Sequence, residues 1–251
     1  MVLARPVEIT LDTLLTAFRH AGCGDPHLIF AGGLRYIPPS SRNGEDRAAF
    51  EELGGLGFTE GKRLTSDFED ILHILDRPNT EYYATVRTET EQYSALVAVR
   101  GRAAVTAICE GDRVWLKSVR TADRAAALVT NLPEFPAAQF APFSLPQQDF
   151  KLSAGSGLYD DEAESRSREA RRLDEVFDQP YFGVGFFAAA KHPDGGKRTE
   201  ATDDLTYLDI DAGRVAMHVT GSPSNRYITV LPGEPTLLAQ KVAALRASLD
   251  H

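Results

Sequence analysis

The chain has 251 residues, 43% of them hydrophobic and 25% charged, with a formal net charge of −9. That length buries a sizeable core without covalent staples. The acidic balance repels phosphates and anionic bilayers, so nucleic acid and membrane insertion are poor partner classes.

In chain order, Val7 to Ile9 reads as a short strand and Thr10 to Gly22 as a helix, with Leu11, Leu14, Leu15 and Phe18 at helical spacing. His27 to Ile37 is apolar and partly extended in pattern, and Pro38-Pro39 closes it. Ser40 to Glu45 reads as a polar loop and Arg47 to Leu53 as a helix that the glycines at 54, 55 and 57 break. Ser66 to Leu75 is the clearest helix: Ser66 and Glu69 make a capping box, and Phe68, Ile71, Leu72 and Leu75 share a face expected to be core.

Four strand-like runs follow, Glu81–Thr88, Tyr93–Arg100, Ala103–Glu110 and Arg113–Val119, separated by gaps that leave room only for hairpins. A helix is expected from Ala122 to Leu132 with Thr121 as its cap. Asn131 to Pro146 has four prolines and no period, which places a boundary there.

The order then returns. Phe143-Ser-Leu145 reads as a strand, Asp161 to Phe177 as a charged helix, and Tyr181–Ala190 as a strand. Pro193 to Gly196 reads as a turn, and Arg198–Thr202 has an extended pattern. Leu205–Asp211, Arg214–Thr220 and Arg226–Leu231 are the remaining strands, with a turn at Ser222–Asn225 before the last. Pro235 opens a final helix with Leu238, Val242, Leu245 and Leu249 on one face. Each half reads strand, helix or helices, Asp-x-Pro, four-strand meander, helix. The expected fold is α+β, with duplicated antiparallel meanders related by a pseudo-two-fold axis. They would form a central sheet with two helical bundles, the halves being residues 1–135 and 136–251 of one globular unit.

Few residues carry a chemical signature. Gly57 to Arg63 has the wrong glycine spacing for a phosphate loop and follows a helix where a strand is required. Asp209 and Asp211 share a strand face that a hard cation could use, but Asp211-Ala212-Gly213 is also ordinary turn chemistry. None of the six histidines pairs at helical zinc-ligand spacing, and no Gly-x-Ser-x-Gly elbow occurs. His73 reads as structural and His192 as exposed. Cys23 and Cys109 lie too far apart for a framework or zinc spacing, and Cys109 is expected to be buried. Trp115, Tyr82, Tyr83, Tyr181, Phe182, Phe186 and Phe187 each read either as core or as a partner anchor on an exposed sheet face, and most are expected in the core. No catalytic residue, cofactor or metal ligand is therefore assigned. Met1 to Ile9 shows no signal-peptide core and no run reaches spanning length, so the expected location is the cytoplasm.

Several segments carry a family resemblance. Tyr93 to Val114, Leu205-Thr-Tyr-Leu-Asp-Ile-Asp-Ala-Gly-Arg214, Tyr227-Ile-Thr-Val-Leu-Pro-Gly-Glu-Pro235 and the opening Val7 to Leu14 together resemble the EspG family, chaperones of type VII (ESX) secretion in actinobacteria. Tyr207 stands where the family more often has tryptophan. The resemblance implies a non-enzymatic cytosolic chaperone or adaptor. Such a protein clamps the apolar tip of a helical secretion substrate, a PE–PPE-like or related heterodimer, which would otherwise aggregate. It also implies partner contacts at the first hairpin, namely Arg87, Thr88, Glu89, Thr90, Glu91 and Gln92, with helical elements of the second half. That hairpin is short and acidic in this chain. Two other readings stay open on the residues alone: a small-molecule enzyme with a pocket between the halves, and a regulatory domain with an unrelated partner.

Overall fold

The structure is a computed structural model describing residues 3, 5–150, 167–193, 197–222 and 224–250. Its first elements are β1 (Val7–Thr10), α1 (Leu11–His20), a 3-10 turn (Leu28–Gly33), α2 (Pro39–Gly55), the two-residue strands β2 (Thr59–Glu60) and β3 (Arg63–Leu64), and α3 (Ser66–Asp76). Then come β4 (Thr80–Thr88), β5 (Gln92–Arg100), β6 (Ala103–Glu110), β7 (Arg113–Ser118), α4 (Arg124–Val129) and β8 (Phe143–Pro146). The chain continues with α5 (Arg168–Phe177), β9 (Tyr181–Lys191), β10 (Thr199–Glu200), β11 (Asp204–Ile210), β12 (Gly213–Ser222), β13 (Asn225–Pro232) and α6 (Pro235–Ala247).

One 11-stranded sheet organises the molecule, in the order β1-β7-β6-β5-β4-β9-β11-β12-β13-β8, with β10 added on β9. Its strand pairs are antiparallel, which puts the fold in the α+β class. The two meanders join where β4 pairs β9 from Thr80↔Lys191 to Thr88↔Gly183. Both path ends are short and blunted, as exposed sheet edges require. β1 has 4 residues, and its Thr10 amide donates to Glu52 of α2 (2.8 Å). β8 also has 4 residues and ends on Pro146.

Side chains alternate between two faces. On the back face, Ala84, Val86, Val97, Phe187, Ala189, Leu205 and Tyr207 pack under α4 and α6, whose Leu128, Leu238, Val242 and Leu245 are fully buried. On the front face the helices sit to the sides. Phe68, Ile71, Leu72 and Leu75 of α3, with Leu14 and Phe18 of α1, cover Leu96, Ala98, Val105 and Ala107. On the other side Ala170 and Leu173 of α5 cover Leu145, Val215, Ile228 and Val230.

The strand runs and the apolar faces of α3 and α6 fall where the sequence predicts them. Other elements differ. The expected loop Ser40–Glu45 lies inside α2, which starts at Pro39. Few apolar side chains hold this helix. Polar contacts do: Asp46 pairs with Arg19 and His20, Glu45 pairs with Arg35, and Glu52 accepts hydrogen bonds from the Thr10 and Thr13 hydroxyls. A hydrophobic period cannot register such contacts. The cap of α3 is Thr65, whose hydroxyl accepts from the Phe68 amide (3.3 Å), so the Ser66–Glu69 capping box is one residue late. In α4 Asp123 caps in place of Thr121, accepting from Ala126 (2.8 Å), and the helix is shorter than expected. His27–Ile37 contains a 3-10 turn instead of an extended run. Gly57–Arg63 forms the β2–β3 hairpin around Gly61 (φ 66°), which is no phosphate cradle. Of the predicted helix Asp161–Phe177, Arg168–Phe177 is α5, capped by Ser167. Residues 161–166 of that prediction, 194–196 of the first turn and Pro223 of the second lie outside the described residues.

Candidate partner-binding site

Phe186 and Phe187 are consecutive on β9 and take opposite faces. Phe187 is 4% exposed and packs near Tyr207 (ring centroids 5.8 Å) under α6. Phe186 is 57% exposed at the centre of the front face, between the α1–α3 side and the α5 side. Its register neighbours are Thr85 on β4 and Thr206 on β11, both half-buried. Val184, two residues back, pairs with Arg87 and Leu208. A register shift after Asp209 then places Tyr181, 66% exposed, opposite the front-face residue Ile210. An apolar strip therefore runs along the front of β9.

The strip leads to the hairpin that joins β4 to β5. Arg87 pairs with Gln92 across the hairpin and with Val184 on β9. The Thr88 amide donates to the Glu91 carbonyl (2.8 Å), and the Thr88 hydroxyl accepts from the amides of Thr90 (3.3 Å) and Glu91 (3.0 Å). This compact turn leaves Arg87, Glu89, Thr90, Glu91 and Gln92 exposed, with Thr88 half-buried. The structure thus brings every residue of the expected contact set together beside an apolar strip. Tyr181 and Phe186 depart from the expectation that most of these aromatics lie in the core. The available signal was the run Gly183, Val184, Gly185, Phe186, which puts glycines on one face and bulk on the other. A Cβ on Gly185 would lie 2.0 Å from the Tyr207 ring, so the glycine face is the packed one.

Asp209, one of the two carboxylates weighed as metal ligands, has structural work. Asp209 is 2% exposed and holds Arg214 through two hydrogen bonds of 2.6 and 2.8 Å. Arg214 also donates to the Pro133 carbonyl (2.9 Å) and lies over the Tyr207 ring at 4.3 Å. Between them Gly213 turns with φ 109°, where a Cβ would lie 2.6 Å from the Ala138 nitrogen. The Tyr-Leu-Asp-Ile-Asp-Ala-Gly-Arg segment is therefore a buried ion-pair clasp. Across the β4–β9 junction the back-face groove is lined by Ala126, Val129, Leu132, Ala239 and Ala243, and its Arg214 is already committed to Asp209.

At the other end of β4, Glu81 is 1% exposed and faces Arg198 (2.6 Å), His192 (3.2 Å) and His27 (3.4 Å). Arg198 also pairs with Glu200 (2.6 Å), which accepts from the Tyr83 hydroxyl. Burial works to raise the Glu81 carboxyl, but hydrogen bonding and charge from His27 and Arg198 outweigh it and hold the group at about 2. Burial, with the Glu200 hydrogen bond, pushes Tyr83 up to about 12. His192, expected on the surface, is a partner of this cluster. The cluster ties the turn before α2 and the β10 segment to the central strand.

These features define an α+β protein whose charge clusters brace the sheet and whose open apolar surface lies at the sheet's centre. The EspG family model matches residues 10–244, and the chain belongs to that family. Among solved structures it is similar to the type VII secretion system chaperone EspG5 of Mycobacterium tuberculosis, determined in complex with a PE25–PPE41 dimer. That match has a TM-score of 0.70 at 13% identity and covers 96% of this chain and 95% of the other, which shows a shared fold. No curated protein matches the chain.

Proposed function

We propose that this protein is a type VII secretion chaperone that binds a helical PE–PPE-type heterodimer and keeps it soluble for export. Membership of the EspG family over residues 10–244 is the observation that carries this reading. The likeness to a chaperone solved with a PE–PPE dimer supports it. Among the described residues no helix is long and apolar enough to cross a membrane, in keeping with work in the cytoplasm.

The contact surface joins the Arg87–Gln92 hairpin to the front of β9 at Phe186, Val184 and Tyr181. A helical substrate tip presents apolar side chains at one end, and Phe186 offers a large aromatic anchor already half in water. Glu89 and Glu91 lie at the rim, where charge steers encounter more than it holds a complex. Binding and release need no covalent chemistry, so the protein acts without catalysing a reaction. The mirrored strand order on either side of the β4–β9 junction further supports two copies of one unit, residues 1–135 and 136–251, related by a pseudo-two-fold axis.

The test is co-expression with PE–PPE heterodimers and size-exclusion analysis of the product. A stable complex that dissociates when apolar residues at the helical tip of the PPE subunit become polar bears the reading out. Heterodimers that stay soluble and unbound in the presence of this protein overturn it.

A further inference from the structure

The turn after α1 meets the last turn of α3 at three side chains that the docking surface does not use. Gly22, with φ 67°, turns the chain after α1 and brings Cys23 down against α3. His73 and Asp76 are three residues apart on α3 and so project from one side of it. Cys23 Sγ lies 3.8 Å from His73 Nδ1, and one ligand atom from each of Cys23, His73 and Asp76 lies within 4.8 Å of the other two. The Asp76 side chain is 5% exposed. One of its oxygens accepts from the Gly24 amide (2.8 Å), and the other pairs with the guanidinium of Arg77 (3.2 Å), whose side chain is 75% exposed. A carboxylate so buried, balanced by a single solvent-facing cation, stands beside a thiol and an imidazole.

We propose that Cys23, His73 and Asp76 bind one divalent ion of the zinc type, with water in the fourth position. The spacing fits. Zinc takes thiolate sulfur at about 2.3 Å and imidazole nitrogen at about 2.0–2.1 Å, so tetrahedral donors stand roughly 3.5–3.8 Å apart. The Cys23–His73 pair is already at that separation, and Asp76 has little further to move. The donor set is selective: sulfur and nitrogen favour zinc, whereas magnesium and calcium take oxygen shells. The charge also closes, since one thiolate and one carboxylate neutralise a divalent ion. The Gly24 amide fixes the Asp76 carboxylate, as hydrogen bonds behind metal ligands usually do. Sequence spacing hides the site because Cys23 and His73 are separated by the whole of α2 and the β2–β3 hairpin. Occupied, it would pin α1 to α3 on the front face, to one side of the docking surface.

Cobalt(II) is the probe. Titrated into chelator-treated protein, one equivalent is expected to give a thiolate-to-cobalt charge-transfer band and the strong visible bands of four-coordination, both discharged by zinc. Cys23→Ser is expected to abolish the charge-transfer band, and His73→Ala or Asp76→Asn to weaken binding at least tenfold. In case a variant fails to fold, the wild-type protein supplies a second readout. Zinc is expected to slow alkylation of Cys23 at least tenfold, with the buried Cys109 as internal reference. No charge-transfer band, a band that survives in Cys23→Ser, or alkylation indifferent to zinc overturns the proposal.

Discussion

Phe186 and Phe187 are the same residue on the same strand, yet one is 57% exposed and the other 4%. Behind the sheet, α4 comes from the end of the first meander and α6 from the end of the second, and they meet over the junction. In front, α1 and α3 pack on one side and α5 on the other, and the centre stays bare. One face carries stability across the junction, whereas the other keeps an apolar surface available. Substitutions at the two phenylalanines therefore separate folding from binding.

Phe187→Ala is expected to have the largest effect on folding, costing about 3–5 kcal/mol by lost burial and a cavity under α6. Urea unfolding measures it, and a loss below about 1 kcal/mol would break the contrast. The next effect tests whether the front face has its own brace. The folded Glu81 carboxyl sits at about 2, below its ordinary 4.5, so its stabilisation is present above about pH 4.5 and lost as pH falls towards 2. That shift is worth about 3 kcal/mol. Wild-type stability is expected to fall across this window, and Glu81→Gln is expected to begin lower and stay flatter there. Parallel acid limbs for the two proteins would remove Glu81 from the account.

Phe186→Ala is the mirror experiment. Its stability is expected to stay within about 1 kcal/mol of wild type, while affinity for a PE–PPE heterodimer falls at least tenfold, or about 1.4 kcal/mol. Isothermal titration measures the second quantity, and unchanged affinity moves the docking surface off the β9 front. The smallest effect belongs to Glu89→Lys combined with Glu91→Lys. The association rate and its salt dependence are expected to change, with dissociation nearly constant. If stopped-flow traces at several ionic strengths match wild type, the hairpin lies outside the interface.

The sequence reveals elements whose apolar residues repeat, because burial against a neighbour imposes that repeat. The strands of both meanders and the buried faces of α3 and α6 were legible for this reason. α2 was half legible, since Asp46 and Glu45 hold it through distant arginines and Glu52 through distant threonines. The caps slipped where chemically equivalent residues lie close together, Thr65 before Ser66 and Asp123 after Thr121. At the site, alternation assigns Phe186 and Phe187 to opposite faces without saying which face a helix covers. That depends on where α4 and α6 land, a tertiary fact with no local signature. The hairpin at 87–92 was legible through its turn and its resemblance, while the aromatic strip beside it was not.

The β4–β9 junction also sets a timetable. Thr88 and its register partner Gly183 are separated by about ninety residues of chain. At roughly 5–20 residues per second, a ribosome takes on the order of five to twenty seconds to supply that stretch. Through that interval the first meander lacks both α6 over its back face and a neighbour for β4, whose 9 residues present an unpaired row of amides and carbonyls. Synthesis rate over the intervening segment therefore governs how long each nascent chain carries an open strand edge. Slowing translation there lengthens its exposure to wrong pairing with another nascent copy.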